Sequence, residues 1–249
     1  MTQVALVAGA SRGIGHATAL HLAGLGFSVF VAAEGAAGEL AALVTGCREH
    51  GAPDAAYGVF DLSQPGSAER MVAAALEKFG RVDVLVNVAG IRCQKLFGEF
   101  TQADFAALMA VNVGAAFFAS QAVLPAMRAQ GGGRIIHVAS QMASVAARFN
   151  TLYGMTKAAL IRLAKSMALE LSADNILVNT ISPGPIDTDF IKNRYAGQPA
   201  ARAAMEAMVP MGRFGTAEEI AEVIGFLATS KGRFLQGADL VVDGGYIIH

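Results

Sequence analysis

Along the chain, short and almost wholly apolar runs alternate with longer segments in which apolar positions recur at helical spacing. The runs fall at Val4–Ala8, Ser28–Ala32, Ala56–Phe60, Val82–Val86, Arg134–Ala139, Ile176–Ile181 and Asp239–Val242, and a segment of helix length separates each from the next. Runs this short and continuous suit strands buried on both faces. Helical connections between successive strands imply parallel pairing, because a parallel crossover needs about a dozen residues or more. The pattern therefore predicts one α/β domain over 1–249: a doubly wound, seven-stranded parallel sheet with helices on both faces.

Local punctuation supports this division. Ser63-Gln64-Pro65 opens a helix that Gly80 closes, and Thr216-Ala217-Glu218-Glu219 has the spacing of a capping box. Phe105 to Met127 carries no charge and is long enough to span a bilayer, but Asn112, Ser120, Gln121 and Pro125 interrupt it. It is expected to be a buried helix that contributes to a subunit contact. Between Asp187 and Gly215, Pro, Gly, Arg and Met crowd together, so a substrate lid is expected at about 188–214.

Composition narrows the partners. With 249 residues, 54% of them apolar and 16% charged, the chain can bury a large core. A formal net charge of -1 and the lack of basic runs argue against nucleic acid or an anionic membrane as partner. Cys47 and Cys93 have neither CxxC spacing nor secretory context and read as free thiols in a reducing compartment, and the five histidines lack metal-ligand spacing. Met1 to Val7 run straight into the first strand without the charged and apolar regions of a signal peptide, so a cytoplasmic protein is expected.

Two motifs bring in chemistry. Directly after the first run comes Gly9-Ala10-Ser11-Arg12-Gly13-Ile14-Gly15, with a helix expected from near Ile14. Glycine there lets the backbone approach a pyrophosphate seated on the positive end of the helix, although any tight strand-to-helix turn also needs glycine. Its place on strand one of a parallel sheet favours the dinucleotide reading. Further on, Tyr153 and Lys157 stand four residues apart, and Ser140 lies thirteen residues before the tyrosine. If a helix begins near Thr151, phenol and ammonium share one face. A free tyrosine titrates near ~10, and a cation within about 4–6 Å favours the phenolate. A serine hydroxyl beside the pair can donate to a carbonyl oxygen. The pair alone would equally describe a surface tyrosine packed under a lysine stem.

Taken together, Gly9, Gly13 and Gly15, the segment Asn87-Val88-Ala89-Gly90, Asn112, Ser140, Tyr153, Lys157 and Pro183-Gly184-Pro185-Ile186-Asp187-Thr188 resemble the single-domain short-chain dehydrogenase/reductase family from Val4 to Gly245. The likeness is strongest to its 3-oxoacyl carrier-protein reductase and sugar or polyol dehydrogenase branches. The resemblance implies a Rossmann-like fold and an NAD(P)-dependent oxidoreductase acting on a carbonyl or secondary alcohol. It casts Tyr153 as general acid and base, Lys157 as holder of the nicotinamide ribose and tuner of the tyrosine, Ser140 as the group fixing the substrate oxygen, and Asn112 as support for a relay water. It also implies cofactor contacts from Gly9, Ser11, Arg12, Gly13, Ile14, Gly15, Glu34, Asp61, Leu62, Asn87, Ala89, Gly90, Pro183, Gly184, Ile186 and Thr188, and a homotetramer. Asp61 could instead cap the following helix, Asn87 could tie strands together, and Thr188 could cap a helix. Ala8 and Val88 depart from the family's usual Thr and Asn, which removes two side-chain hydrogen bonds between neighbouring loops.

Cofactor and substrate are less sharply marked. Arg12 is a cation of the kind that faces a ribose 2'-phosphate. Glu34, nineteen residues after Gly15, is the carboxylate an NAD enzyme uses for the 2'-hydroxyl, set one residue late because Ala33 holds the usual place. A carboxylate beside a phosphate costs more than an arginine beside a hydroxyl, which favours NAD(H) over NADP(H) by a small margin. Substrate contacts are expected from Arg92, Gln94, Gln141, Met142, Asn150 and Phe190, with Ser144, Tyr195, Met205 and Met208 nearby. The polar members suit a hydroxylated or acidic small molecule, the methionines an apolar chain, so 3-oxoacyl thioesters, sugars, polyols and other small ketones all remain. A catalytically silent dinucleotide sensor is the competing reading, and a nucleic-acid-binding module a third that lacks its basic patch.

Overall fold

A computed structural model describes residues 2–35, 37–188, 191–192 and 195–248. Seven strands form one parallel sheet: β1 Val4–Ala8, β2 Ser28–Ala33, β3 Ala55–Val59, β4 Val84–Asn87, β5 Gly133–Val138, β6 Ile176–Pro183 and β7 Asp239–Val242. Their spatial order is β3-β2-β1-β4-β5-β6-β7. Chain direction across the sheet thus reverses between β1 and β4, the place where doubly wound sheets leave a ligand crevice at the strands' carboxyl ends.

Alternation along each strand divides the core in two. Ala5 and Val7 of β1 pack with helices α1 (Gly13–Gly24) and α2 (Ala37–Glu49) and with Ala217–Thr229 on one face. Leu6 and Ala8 face α3 (Ser67–Phe79), the helix at Ala115–Ala129 and the long helix at Thr151–Leu171 on the other. Every residue of β1 and β2 is buried, as continuous apolar strands under two helical layers must be.

Several boundaries differ from the expectation. β4 starts at Val84 rather than Val82, because Asp83 is engaged at the sheet's lower rim, where its carboxylate accepts from Val4 N at 2.8 Å and from Arg81 at 2.6 and 2.8 Å. β3 and β5 each lie one residue earlier than the apolar run. The third helix begins at Ser67, three residues after Gln64, because Gly66 turns the chain through a left-handed conformation (φ 75°) first. The uncharged stretch lies, as expected, in one continuous helix, Gln102–Ala129, but that helix is only partly buried. It comprises α4 (Gln102–Leu108), a π-helical segment at Met109–Gly114 and α5 (Ala115–Ala129), with Phe105, Phe117 and Phe118 all between 44% and 48% exposed. The capping box at Thr216 forms as expected, with Glu219 N donating to Thr216 Oγ1 at 3.2 Å and Thr216 N to Glu219 Oε2 at 2.8 Å.

Candidate active site

The glycine-rich turn closes the carboxyl end of β1 by approaches only glycine allows. Gly9 (φ 88°) and Ala10 both donate to Ala32 O, at 2.7 and 3.0 Å, which fixes the turn to β2. A Cβ at Gly9 would lie 2.5 Å from Ala89 N, and one at Gly15 would lie 2.0 Å from Gly9 O. Val88 N and Ala89 N both donate to Ala8 O at 2.9 Å, so main-chain bonds join the two loops where the family's Thr and Asn side chains are missing. Arg12 stands extended at the helix N-cap without capping it, and the first turn of α1 holds no acidic residue. Those amides are therefore left to an anion. Gly13 (φ 56°) faces the methyl of Thr188, and Gly184 packs its Cα against Asp243, which brings the loop after β6 to the same crevice. A dinucleotide fits this cradle.

The neighbouring candidates divide. Asn87 is buried and donates to His137 Nδ1 at 3.1 Å, a strand tie beside the crevice. Asp61 lies two residues past the end of β3, and its carboxylate accepts from Ser63 N, Ser63 Oγ and Gln64 Nε2 at 2.6–3.1 Å. These bonds hold its carboxyl below the usual range, the Ser63 hydroxyl contributing most. Leu62 packs against the sheet. Glu34 follows β2 and is exposed, whereas Ala33 is buried in the strand opposite Val59. Ser11, Ile14 and Ile186 line the same end of the sheet, Ile186 being buried.

Tyr153 and Lys157 share a face of α6 (Thr151–Leu171). The lysine is buried, its ammonium donates to Val138 O at 2.8 Å, and it lies 5.7 Å from the Tyr153 ring centroid. Burial depresses its pKa, the tyrosine opposing and Arg92 adding to the effect. A Cβ at Gly90 would lie 3.3 Å from Lys157 Nζ and 3.4 Å from Asn112 Oδ1. The loop expected to line the cofactor, the lysine and the asparagine thus meet at one point. Asn112 sits in the π-helical segment, accepts from Ile91 N at 2.8 Å, and donates to Ile91 O and Thr156 Oγ1, both at 3.0 Å. Ser140 ends β5's extension: its hydroxyl accepts from Met142 N at 3.2 Å and donates loosely to Gln141 Oε1 at 3.3 Å. Gly154 lets the start of α6 press against Met142 O, where a Cβ would sit 2.8 Å away, and this seats the tyrosine beside the serine turn.

Two buried polar residues of this cluster were not singled out in the sequence. Thr156 bridges Asn112 to Tyr153 O, to which it donates at 2.8 Å. His137, inaccessible beneath Lys157, has its pKa lowered to about 4 by burial and by the lysine, and its Nε2 finds no hydrogen-bond partner. Its signal was a polar residue inside Ile135-Ile136-His137-Val138.

On the substrate side, the Arg92 guanidinium carbon stands 4.4 Å from the Tyr153 ring centroid and one of its nitrogens donates to Met142 Sδ at 3.1 Å. Gln141 and Asn150 are buried, and Asn150 Nδ2 donates to Arg148 O at 2.9 Å while its Oδ1 is buried without a partner. Gln94 is exposed on the loop. Phe190 lies outside the described residues.

The family model described as Enoyl-(Acyl carrier protein) reductase matches residues 9–247. L-rhamnose 1-dehydrogenase (NAD(P)(+)) of Azotobacter vinelandii is 39% identical over 98% of this chain and 96% of that protein. A 3-oxoacyl-[acyl-carrier-protein] reductase of Vibrio cholerae is 36% identical over 98% of this chain and 96% of its own length. Among solved structures, a 3-oxoacyl (acyl-carrier-protein) reductase of Agrobacterium tumefaciens with NADP bound superposes with a TM-score of 0.93 at 34% identity, covering 98% of this chain and 94% of that one.

Proposed function

We propose residue roles, a cofactor preference and a substrate type for a chain that belongs to the short-chain dehydrogenase/reductase family, oxidoreductases that move a hydride between a nicotinamide cofactor and a carbonyl or alcohol. The observation that carries the assignment of roles is the meeting of Gly90, Asn112 and the buried Lys157 ammonium beside Tyr153. The Gly9–Gly15 turn and the uncapped start of α1 hold the pyrophosphate, Asn87, Ala89 and Gly90 line the adenosine side, and Lys157 grips the nicotinamide ribose. Bound there, the cofactor supplies or accepts the hydride. Tyr153 gives its phenolic proton to the carbonyl oxygen, or takes it from the alcohol in the reverse direction. Ser140 exchanges its loose bond to Gln141 for one to the substrate oxygen. Asn112, pinned from both sides by Ile91 and Thr156, orients the π-helical turn that supports a relay water to the lysine.

Glu34 supports NAD(H) over NADP(H): it is the exposed carboxylate just past β2, where a ribose 2'-hydroxyl is read. Arg12 stands near enough in sequence to keep the preference modest. The wall of Arg92, Gln141 and Asn150 supports a small, oxygen-rich carbonyl or alcohol as substrate. Two exposed apolar faces support a homotetramer, one at Phe105, Phe117 and Phe118, the other at Phe226, Phe234 and Ile248 toward the β7 edge.

The test is a nicotinamide absorbance screen of both cofactors against sugars, polyols, small ketones and 3-oxoacyl thioesters. Oxidation or reduction of at least one small oxygenated substrate is expected, faster with NAD(H). Tyr153→Phe should lower kcat by about 10²–10⁴ while leaving cofactor binding in place. Retention of wild-type turnover in that variant would remove the assigned role.

A further inference from the structure

The sheet face covered by α3, α5 and α6 is apolar until it reaches the crevice. Leu85 of β4 and Ile135 of β5 belong to its core. Two residues further along, Asn87 and His137 stand opposite each other in the strand register, and both are buried.

Ser120 of α5 decides which way the Asn87 carboxamide points. Its one proton goes to Ala116 O at 2.6 Å, so toward Asn87 it can only accept. The Asn87 atom that faces it, at 3.5 Å, is therefore the nitrogen, and this Nδ2 lies 3.1 Å from His137 Nδ1. An amide nitrogen only donates. His137 Nδ1 is then the acceptor, and the proton of the ring sits on Nε2. Burial and the Lys157 ammonium, which lower the pKa of the ring to about 4, keep the Nδ1 lone pair free near neutral pH.

The arrangement carries a cost. Nε2 is buried without a partner, an unmade bond that an aliphatic residue such as Ile135 avoids. What the histidine secures is the direction of Asn87 Oδ1. With Nδ2 turned to His137 and Ser120, the oxygen points away from both, takes no donor among the described residues and is not sealed from solvent. Asn87 is the last residue of β4, at the edge of the crevice where the strand order reverses beside β1.

Resting on the dinucleotide reading above, we propose that His137 is a positioning residue that holds the Asn87 carboxamide with its oxygen toward the cofactor, as acceptor for a ribose hydroxyl or the adenine amine of the adenosine half. Without Nδ1 the amide is free to turn, since Ser120 at 3.5 Å is too distant to hold it. Its N–H groups then face donors instead of meeting them with an acceptor.

The experiment is calorimetric titration of NADH, ADP, inosine diphosphate and an ADP lacking both ribose hydroxyls. The proteins are wild type, His137→Leu, His137→Asn, Asn87→Ala and the double variant of His137→Leu with Asn87→Ala, after thermal melts confirm that each is folded. NADH and ADP should bind His137→Leu about threefold to tenfold more weakly, as one hydrogen bond allows. His137→Asn sets an amide oxygen where Nδ1 was and should restore most of that affinity. In the Asn87→Ala background the leucine should change nothing, because His137 acts only through that amide. The analogue whose disadvantage against ADP shrinks in His137→Leu identifies the donor: inosine diphosphate the amine, the deoxygenated ADP the ribose. If His137→Leu fails to fold, His137→Gln replaces it with the same expectation, since its amide reaches the Nε2 position and not Nδ1. Unchanged ADP affinity in His137→Leu, equal losses in the leucine and asparagine variants, or an undiminished effect in the Asn87→Ala background would overturn the positioning role and leave the dinucleotide reading intact. No binding of NADH or NADPH to wild type would overturn both.

Discussion

Single side chains in this protein are decided by space and solvent. Gly15 has no room for even one carbon, since its Cβ would stand 2.0 Å from Gly9 O, a backbone atom that cannot swing aside. Gly15→Ala should therefore cost about 1–3 kcal/mol or more by overpacking, which for a chain of this size lowers the unfolding midpoint by several degrees. It should also weaken NADH binding, followed by the fluorescence of the bound dihydronicotinamide; an unshifted melt with unchanged binding would contradict the packing argument. His137 makes a different prediction. Its folded pKa of about 4 lies below its ordinary 6.5, so between those values the unfolded chain takes up a proton that the folded chain refuses. The stability due to neutral burial is present above pH 6.5 and is lost as pH falls toward 4, at about 1.4 kcal/mol per pH unit. Urea unfolding of wild type and His137→Gln across that range should show a steeper acid loss for wild type, and parallel slopes would count against it.

Among the elements, the capping box at Thr216 is the most self-contained. Thr216 Oγ1 accepts from Glu219 N, and the Glu219 carboxylate accepts in return from Thr216 N while pairing with Arg213 at 2.6 Å. Thr216→Ala should cost about 1 kcal/mol, read as a lower urea midpoint at unchanged slope. That box was legible because its signature is local: a cap residue and a glutamate three positions on. The strands were legible for a similar reason, since an inner strand covered on both sides is almost wholly apolar, and Val4–Ala8 falls where the pattern puts it; the half-buried edge strand Asp239–Val242 does so as well. What escaped depends on partners far along the chain. The start of β4 is set by Asp83 bonding back to Val4, and the start of α3 by a left-handed Gly66. The π-helical turn around Asn112 answers to Ile91 and Thr156, which no helical periodicity reveals. Arg92 could be named as a pocket residue, but its place over the Tyr153 ring could not, because nothing in a sequence measures the distance between two loops.

For the whole molecule, the exposed phenylalanines on both flanks are the property that a monomer leaves unexplained. Sedimentation should give about four times the 25.7 kDa chain mass, and Phe117→Glu with Phe118→Glu should reduce that mass; a monomeric wild type would refute the assembly. The strand order has a separate consequence during synthesis. β1 to β4 emerge first and can form β3-β2-β1-β4, a half-sheet whose free edge is β4. That edge is apolar at all four positions but its terminal Asn87 and stays unpaired until β5, some 45 residues later, leaves the ribosome. The nascent chain is thus most exposed to strand-to-strand aggregation after β4 has emerged and before β5 has, while the segment bearing Ser140, Tyr153 and Lys157 has yet to fold onto the sheet, and chaperone demand during expression should peak at those lengths.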